Sequence, residues 1–127
     1  MNQRRMFPRI AFATITAFIA LIGFPSSASA QSYPSAENGR RVYDFAHVFP
    51  DTGRVAALQN EIFAFEATSH VQLAVVTIES LGGRSIEDYA NGLFRAWGIG
   101  QRGANNGVLL LMAPSDHRVR IEVGYGL

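Results

Sequence analysis

Asp44, Asn105, Asn106 and Asp116 carry the oxygens through which this sequence could do chemistry. Carboxylate and side-chain amide oxygens, joined by backbone carbonyls, suit a hard divalent cation such as Ca²⁺ or Mg²⁺. Such an ion can orient and polarise a phosphate ester without a covalent nucleophile on the protein. Each residue also has a purely conformational use. Asp44 can cap a turn through its side chain. Asn105-Asn106-Gly107 can form a tight turn, because Asn and Gly tolerate positive φ. Asp116 stands in Pro114-Ser115-Asp116-His117, a common turn composition. Tyr125 lies between Gly124 and Gly126 and is a candidate binding residue exposed at a loop cluster.

Other chemistries leave no trace in the residue pattern. The glycine-rich stretch 98–107 lacks the Gly-Lys-Ser/Thr that cradles phosphate in a P-loop. No G-x-S-x-G elbow is present. His47, His70 and His117 are scattered and form no H-x-x-x-H pair, so no zinc site can be read from them. The chain has no cysteine, which removes thiolate nucleophiles, thiolate metal sites and disulfides.

The elements that must position these groups follow from periodicity and punctuation. Val42 to Phe49 reads as a short strand and a turn, closed by Pro50-Asp51-Thr52-Gly53. Asp51 or Thr52 supplies an N-cap for a helix running to about Ala67. Val55, Leu58, Ile62 and Phe65 share one face of it, with Arg54, Asn60, Glu61 and Glu66 largely off that face. Val71 to Ile78 is β-branched and almost continuously apolar, as in a strand covered on both faces. Leu81-Gly82-Gly83 breaks it. Ser85 caps a second helix whose buried face is Ile86, Tyr89, Leu93, Phe94 and Trp97, and Gly98 closes it. Val108 to Ala113 is a strongly apolar strand. Arg118 to Val123 alternates polar and apolar, which reads as a strand with one wet, polar face near a sheet edge.

The order β-α-β-α-β-β predicts an α/β fold with a mainly parallel sheet flanked by helices and a final antiparallel hairpin strand. Ligands of open α/β sheets bind beyond the carboxyl ends of the parallel strands. Asn105 and Asn106 precede a strand and so belong to the opposite end, where the antiparallel last strand also delivers Tyr125. Asp44 joins them only if its strand ends there too.

The layout of the first thirty residues predicts export from the cytoplasm. Arg4, Arg5 and Arg9, then an apolar stretch from Ile10 to Phe24, then Ala28-Ser29-Ala30 have the layout of a secretory signal peptide over residues 1–30. The apolar run is shorter than the ~20 residues of a membrane span. Arg4-Arg5 also resembles a twin-arginine signal, although Pro8 stands where an aliphatic residue is usual, so general secretory and twin-arginine export both remain open. Residues 31–40 read as a flexible leader. Three of the eleven arginines and none of the ten acids precede Gln31, so the mature part carries eight bases against ten acids and a net charge of −2. Such a balance gives no electrostatic reason to bind nucleic acid or anionic lipid. The expected location is the periplasm or cell envelope, and the mature length suits one small domain.

Several blocks resemble the TPM domain family. Val42-Tyr43-Asp44-Phe45-Ala46 resembles its opening, Gln72 to Thr77 its buried core strand, and Ser85 to Ala90 with Leu93 to Gly100 its second helix. Asn105 to Leu111 and Arg120-Ile121-Glu122-Val123-Gly124-Tyr125-Gly126-Leu127 are the most specific blocks. The resemblance spans residues 41–127. It implies an α/β sandwich, export or membrane association, and in some members a bound divalent metal. Some members are acid phosphatases, notably in thylakoids, and others are envelope accessory modules. The resemblance further implies helices and a strand beyond Leu127, so the domain is expected to be incomplete at its C-terminus, with a C-terminal membrane anchor in the full-length protein.

The expected function is an envelope accessory or interaction module working with a membrane or envelope protein complex. The alternative is a divalent-metal-dependent phosphatase-like enzyme. Two helices must shield the apolar sheet. If both pack on one face the other is bare, and if they divide each face is partly shielded, so residues 31–127 are expected to be sticky, oligomeric or partly unfolded.

Overall fold

The computed structural model describes residues 32–127. The expected signal peptide lies outside the described residues. Four strands and two helices follow one another as β1 (Val42–Asp44), α1 (Thr52–Ser69), β2 (Gln72–Thr77), α2 (Ile86–Trp97), β3 (Gly107–Ala113), a 3₁₀ turn (Pro114–Asp116) and β4 (Arg118–Val123). The sheet order is β1-β2-β3-β4, with β1, β2 and β3 parallel and β4 antiparallel to β3. This is the α/β arrangement that the alternation of elements predicts.

Local signals set the helix ends. Asp51, not Thr52, caps α1, its carboxylate accepting from the Arg54 N–H at 2.8 Å. The helix runs past Ala67 to a left-handed His70, whose N–H donates to the Glu66 carbonyl. Ser85 Oγ accepts from the Asp88 N–H at 3.0 Å, and the left-handed Gly98 ends α2. The start of the described chain is held against α2. Trp97 Nε1 donates to the Pro34 carbonyl at 2.9 Å, and Tyr33 packs edge-on against Tyr89.

The helices divide between the two faces. α2 covers one face, where Tyr43, Val76, Tyr89, Leu93, Leu109 and Leu111 form the larger core. α1 covers the other, where Val42, Ile62 and Val75 form a smaller one with Leu58, Leu73 and Leu110 packed beside it. β2 is buried on both sides, as its continuous apolar run predicts.

The expected wet face of β4 is reversed. Its register puts Arg120 opposite Leu111 and Glu122 opposite Leu109, on the α2 side. There Glu122 accepts from Asn91 Nδ2 on α2, and Arg120 donates to Glu122 at 3.0 Å. The apolar alternates Val119, Ile121 and Val123 face the α1 side and are 64%, 61% and 50% exposed. The reason is reach, since among the described residues α1 lies mainly over β1 and β2, half-covers β3 and leaves β4 bare on that side. The same gap explains Phe65, expected inside but 47% exposed. Phe63 reaches the Arg41 guanidinium just before β1. At about 100° per residue, Phe65 therefore falls on the other flank of Ile62, towards the uncovered strands.

Candidate functional site

The five candidate residues fall at two ends of the sheet. Asp44 ends β1 and Asp116 follows β3, both at the carboxyl end of the parallel strands. Asn105 and Asn106 precede β3, and Tyr125 follows the antiparallel β4, so these three lie at the opposite end. The six or seven residues of β2 and β3 span roughly 20 Å. A cation whose ligands sit at about 2.3–2.6 Å cannot touch both groups. Asp44 and the asparagines therefore do not form one ligand set.

Asp44 is the most elaborated of the five. The β1–β2 register places it beside Thr77. Its Oδ1 accepts from the Thr77 hydroxyl at 2.6 Å and the Val48 N–H at 2.9 Å, and its Oδ2 accepts from the Phe49 N–H at 3.0 Å. Burial alone would raise its pKa, but the Thr77 hydroxyl, the two N–H donors and nearby His47 together hold it below the ordinary aspartate value. The turn-capping role is thus real, and it leaves one Oδ2 lone pair of the four on a carboxylate.

That remaining lone pair belongs to an open groove of about 710 Å³ between the end of β1 and the start of α1, lined by Asp44, Phe45, His47, Phe49, Asp51 and Gln59. Asp51, read from the sequence only as a cap, is the second carboxylate in it. A hard cation there would meet these two acids. Among the described residues no three His, Asp or Glu side chains gather into a metal-holding group.

Asp116 turns inward. Its Oδ2 accepts from the Leu81 N–H at 2.7 Å and ties the β3–β4 turn to the loop before α2. Asn106 is buried and shared three ways. Its Nδ2 donates to the His70 carbonyl, its Oδ1 accepts from the Gln101 N–H at 2.7 Å, and its carbonyl accepts from the Gln72 N–H at 2.9 Å. Asn105 takes the left-handed conformation at φ 49°, the turn geometry that its residue type permits. Tyr125 is fully exposed. Its flanking glycines are required by close approach, since a Cβ at Gly124 would lie 2.2 Å from the Asn105 carbonyl oxygen and one at Gly126 1.9 Å from that of Ala104.

Two features escaped sequence reasoning. Thr77, wholly buried, is the group that orders Asp44, and its signal was a lone hydroxyl at the end of an aliphatic strand. Glu66, placed off the packed face of α1, accepts from Arg41 Nε at 2.7 Å and from the Leu73 N–H at 3.0 Å, joining α1 to the start of the sheet.

The comparisons agree on family and fold. No curated protein matches the chain. The N-terminal domain of a protein from P. gingivalis is similar at 36% identity and a TM-score of 0.63, covering 70% of this chain and 56% of that one. The N-terminal domain of a Corynebacterium glutamicum protein shares the fold at 18% identity and a TM-score of 0.59, covering 76% of this chain and 61% of that one. The chain thus spans less than two thirds of either solved domain. The TPM domain model matches residues 42–127, and with that match over most of its length the chain belongs to the TPM domain family.

Proposed function

We propose that this chain is an accessory module of the cell envelope that acts by binding another protein through the α1-side face of β3 and β4, which the described residues leave partly uncovered. The observation that carries this is the row Val119, Ile121 and Val123, at least half exposed, running beside the half-buried Val108, Leu110 and Met112. Contiguous exposed apolar surface of this kind marks interaction sites. Export to the periplasm or envelope fits the charge and layout of the first thirty residues.

A second reading, a divalent-metal-dependent phosphatase, draws on the groove at the carboxyl end of β1, where ligands of α/β sheets usually sit. It has Asp44 and Asp51 as its acids. Three of the Asp44 lone pairs already serve the fold, which favours the binding role.

Anilinonaphthalene sulfonate fluorescence tests the choice. The native protein should bind the dye below its unfolding transition, and replacing Val119, Ile121 and Val123 by threonine should abolish that signal. Absence of dye binding to the folded protein, or chelator-sensitive hydrolysis of p-nitrophenyl phosphate, would overturn it.

A further inference from the structure

Among the described residues β4 is the last strand of the sheet order, with β3 on its one paired side. In its ladder with β3 the Gly124 N–H donates to the Gly107 carbonyl at 2.8 Å. Antiparallel ladders alternate bonded and non-bonded pairs. Glu122 and Arg120 therefore direct their backbone groups to β3, and Val119, Ile121 and Val123 direct theirs to the open edge. Such an edge is a template for another strand.

From these observations we propose that the edge pairs with a second copy of this chain, β4 against β4 antiparallel, on a twofold axis through Ile121. The proposal rests on the binding role above and names its partner. Centred on Ile121, the pairing sets Ile121 opposite the partner's Ile121 and Val119 opposite the partner's Val123. All of them have outward-facing backbone groups, so these three pairs are the hydrogen-bonded ones of the seam. On the α2 side the same register sets Arg120 opposite the partner's Glu122, and Glu122 opposite the partner's Arg120. These are non-bonded positions, where side chains come closest.

The neighbouring registers fail on charge. Centring on Arg120 or on Glu122 puts like charges face to face at the axis, which is unfavourable for directly opposed residues. The sequence Val119-Arg120-Ile121-Glu122-Val123 is thus symmetric in its apolar residues and complementary in its charges about one residue. A twofold axis through that residue, normal to the sheet, also keeps both copies of α1 on one face. The two uncovered strips then join into one apolar floor between the helices. That floor stays open to a further partner.

Sedimentation of the purified protein over a concentration series tests this. The expected result is a reversible dimer. Arg120→Glu and Glu122→Arg should each weaken it roughly tenfold or more, because each turns two attractive pairs repulsive. Mixing the two variants should restore dimers, since the acidic strand of one then faces the basic strand of the other. Ile121→Lys, at a position 61% exposed in the single chain, should leave a folded monomer. A monomeric mass throughout the series, or a dimer indifferent to all three substitutions and to mixing, would overturn the pairing. Dye binding by a monomer would leave the binding role standing without this partner, whereas its absence would remove both.

Discussion

The Thr77 hydroxyl donates to Asp44 Oδ1 over 2.6 Å, across the β1–β2 pair whose register sets the two residues side by side. A wholly buried hydroxyl thereby orders the carboxylate that caps the β1–α1 turn. Replacing Thr77 by Val keeps the shape and removes both the donor to Asp44 and the acceptor of the Ala46 N–H at 3.1 Å. The expected cost is about 1.5–3 kcal/mol, as for a hydrogen bond to a charged group. Thr77→Ser should retain the bond and lose mainly the methyl packing. Urea denaturation of the two variants separates these effects, and equal losses would show that the hydroxyl contributes nothing.

The same arrangement fixes a pH dependence. The Asp44 pKa is depressed in the folded protein. Its contribution is therefore present above the ordinary aspartate pKa, about 3.9, and is lost as pH falls through the lower folded value. Asp44→Asn should destabilise most at neutral pH, where Phe49 loses a charged acceptor, and least in acid. Unfolding midpoints measured from pH 7 downwards should converge for the two proteins. Parallel curves would mean that Asp44 does not titrate differently on folding.

The parts of this fold legible in sequence were those with a period or a cap. The run 71–78 announced a strand buried on both sides because no charge interrupts it, and Ser85 and Gly98 marked the ends of α2 by their chemistry. What could not be read was which helix covers which strand. The alternation of β4 gives two faces but not their destinations, so polarity alone sends Arg120 and Glu122 to water although Asn91 and Glu87 on α2 draw them in. For the candidate site, residue types single out acids and amides, but their division between the sheet ends depends on the parallel β1. Thr77 stayed silent because a hydroxyl in a strand carries no spacing signature.

Asn106 should be among the costliest polar positions. Its amide satisfies the His70 carbonyl and the Gln101 N–H inside the loop before β3. Asn106→Ala leaves both without partners, an expected loss of about 2–4 kcal/mol. Asn106→Asp keeps the acceptor but points an oxygen at the His70 carbonyl, so it should recover only part of the loss. Chemical denaturation gives the comparison, and an alanine variant within half of that loss would show that water replaces the amide readily.

The two sides of the β3–β4 pair should respond unequally to truncation. Leu111 is wholly buried against α2, and Leu111→Ala should cost about 2–5 kcal/mol. Ile121, 61% exposed on the other side, should tolerate Thr within about 0.5 kcal/mol at dilutions where the chain is monomeric. Both are read from thermal or urea unfolding. A large loss at Ile121 would mean that its side chain is covered in solution, and a loss that grows with protein concentration would identify the cover as another copy.

Calcium decides whether the groove beside β1 is a ligand site, and the division of the candidates between two sheet ends makes the test selective. A ligand that binds only the folded state raises the melting temperature. If calcium occupies the groove, the parent protein should melt higher in its presence. That increment, measured within each variant with and without the ion, should vanish in Asp44→Asn and shrink in Asp51→Asn. Asn105→Ala, at the far end of β3, should keep it in full. Comparing increments rather than absolute temperatures removes the destabilisation that Asp44→Asn causes by itself through Val48 and Phe49. An increment lost in Asn105→Ala and kept in Asp44→Asn would move the site to the other end of the sheet, beside Tyr125. No increment in the parent protein would remove calcium from both ends.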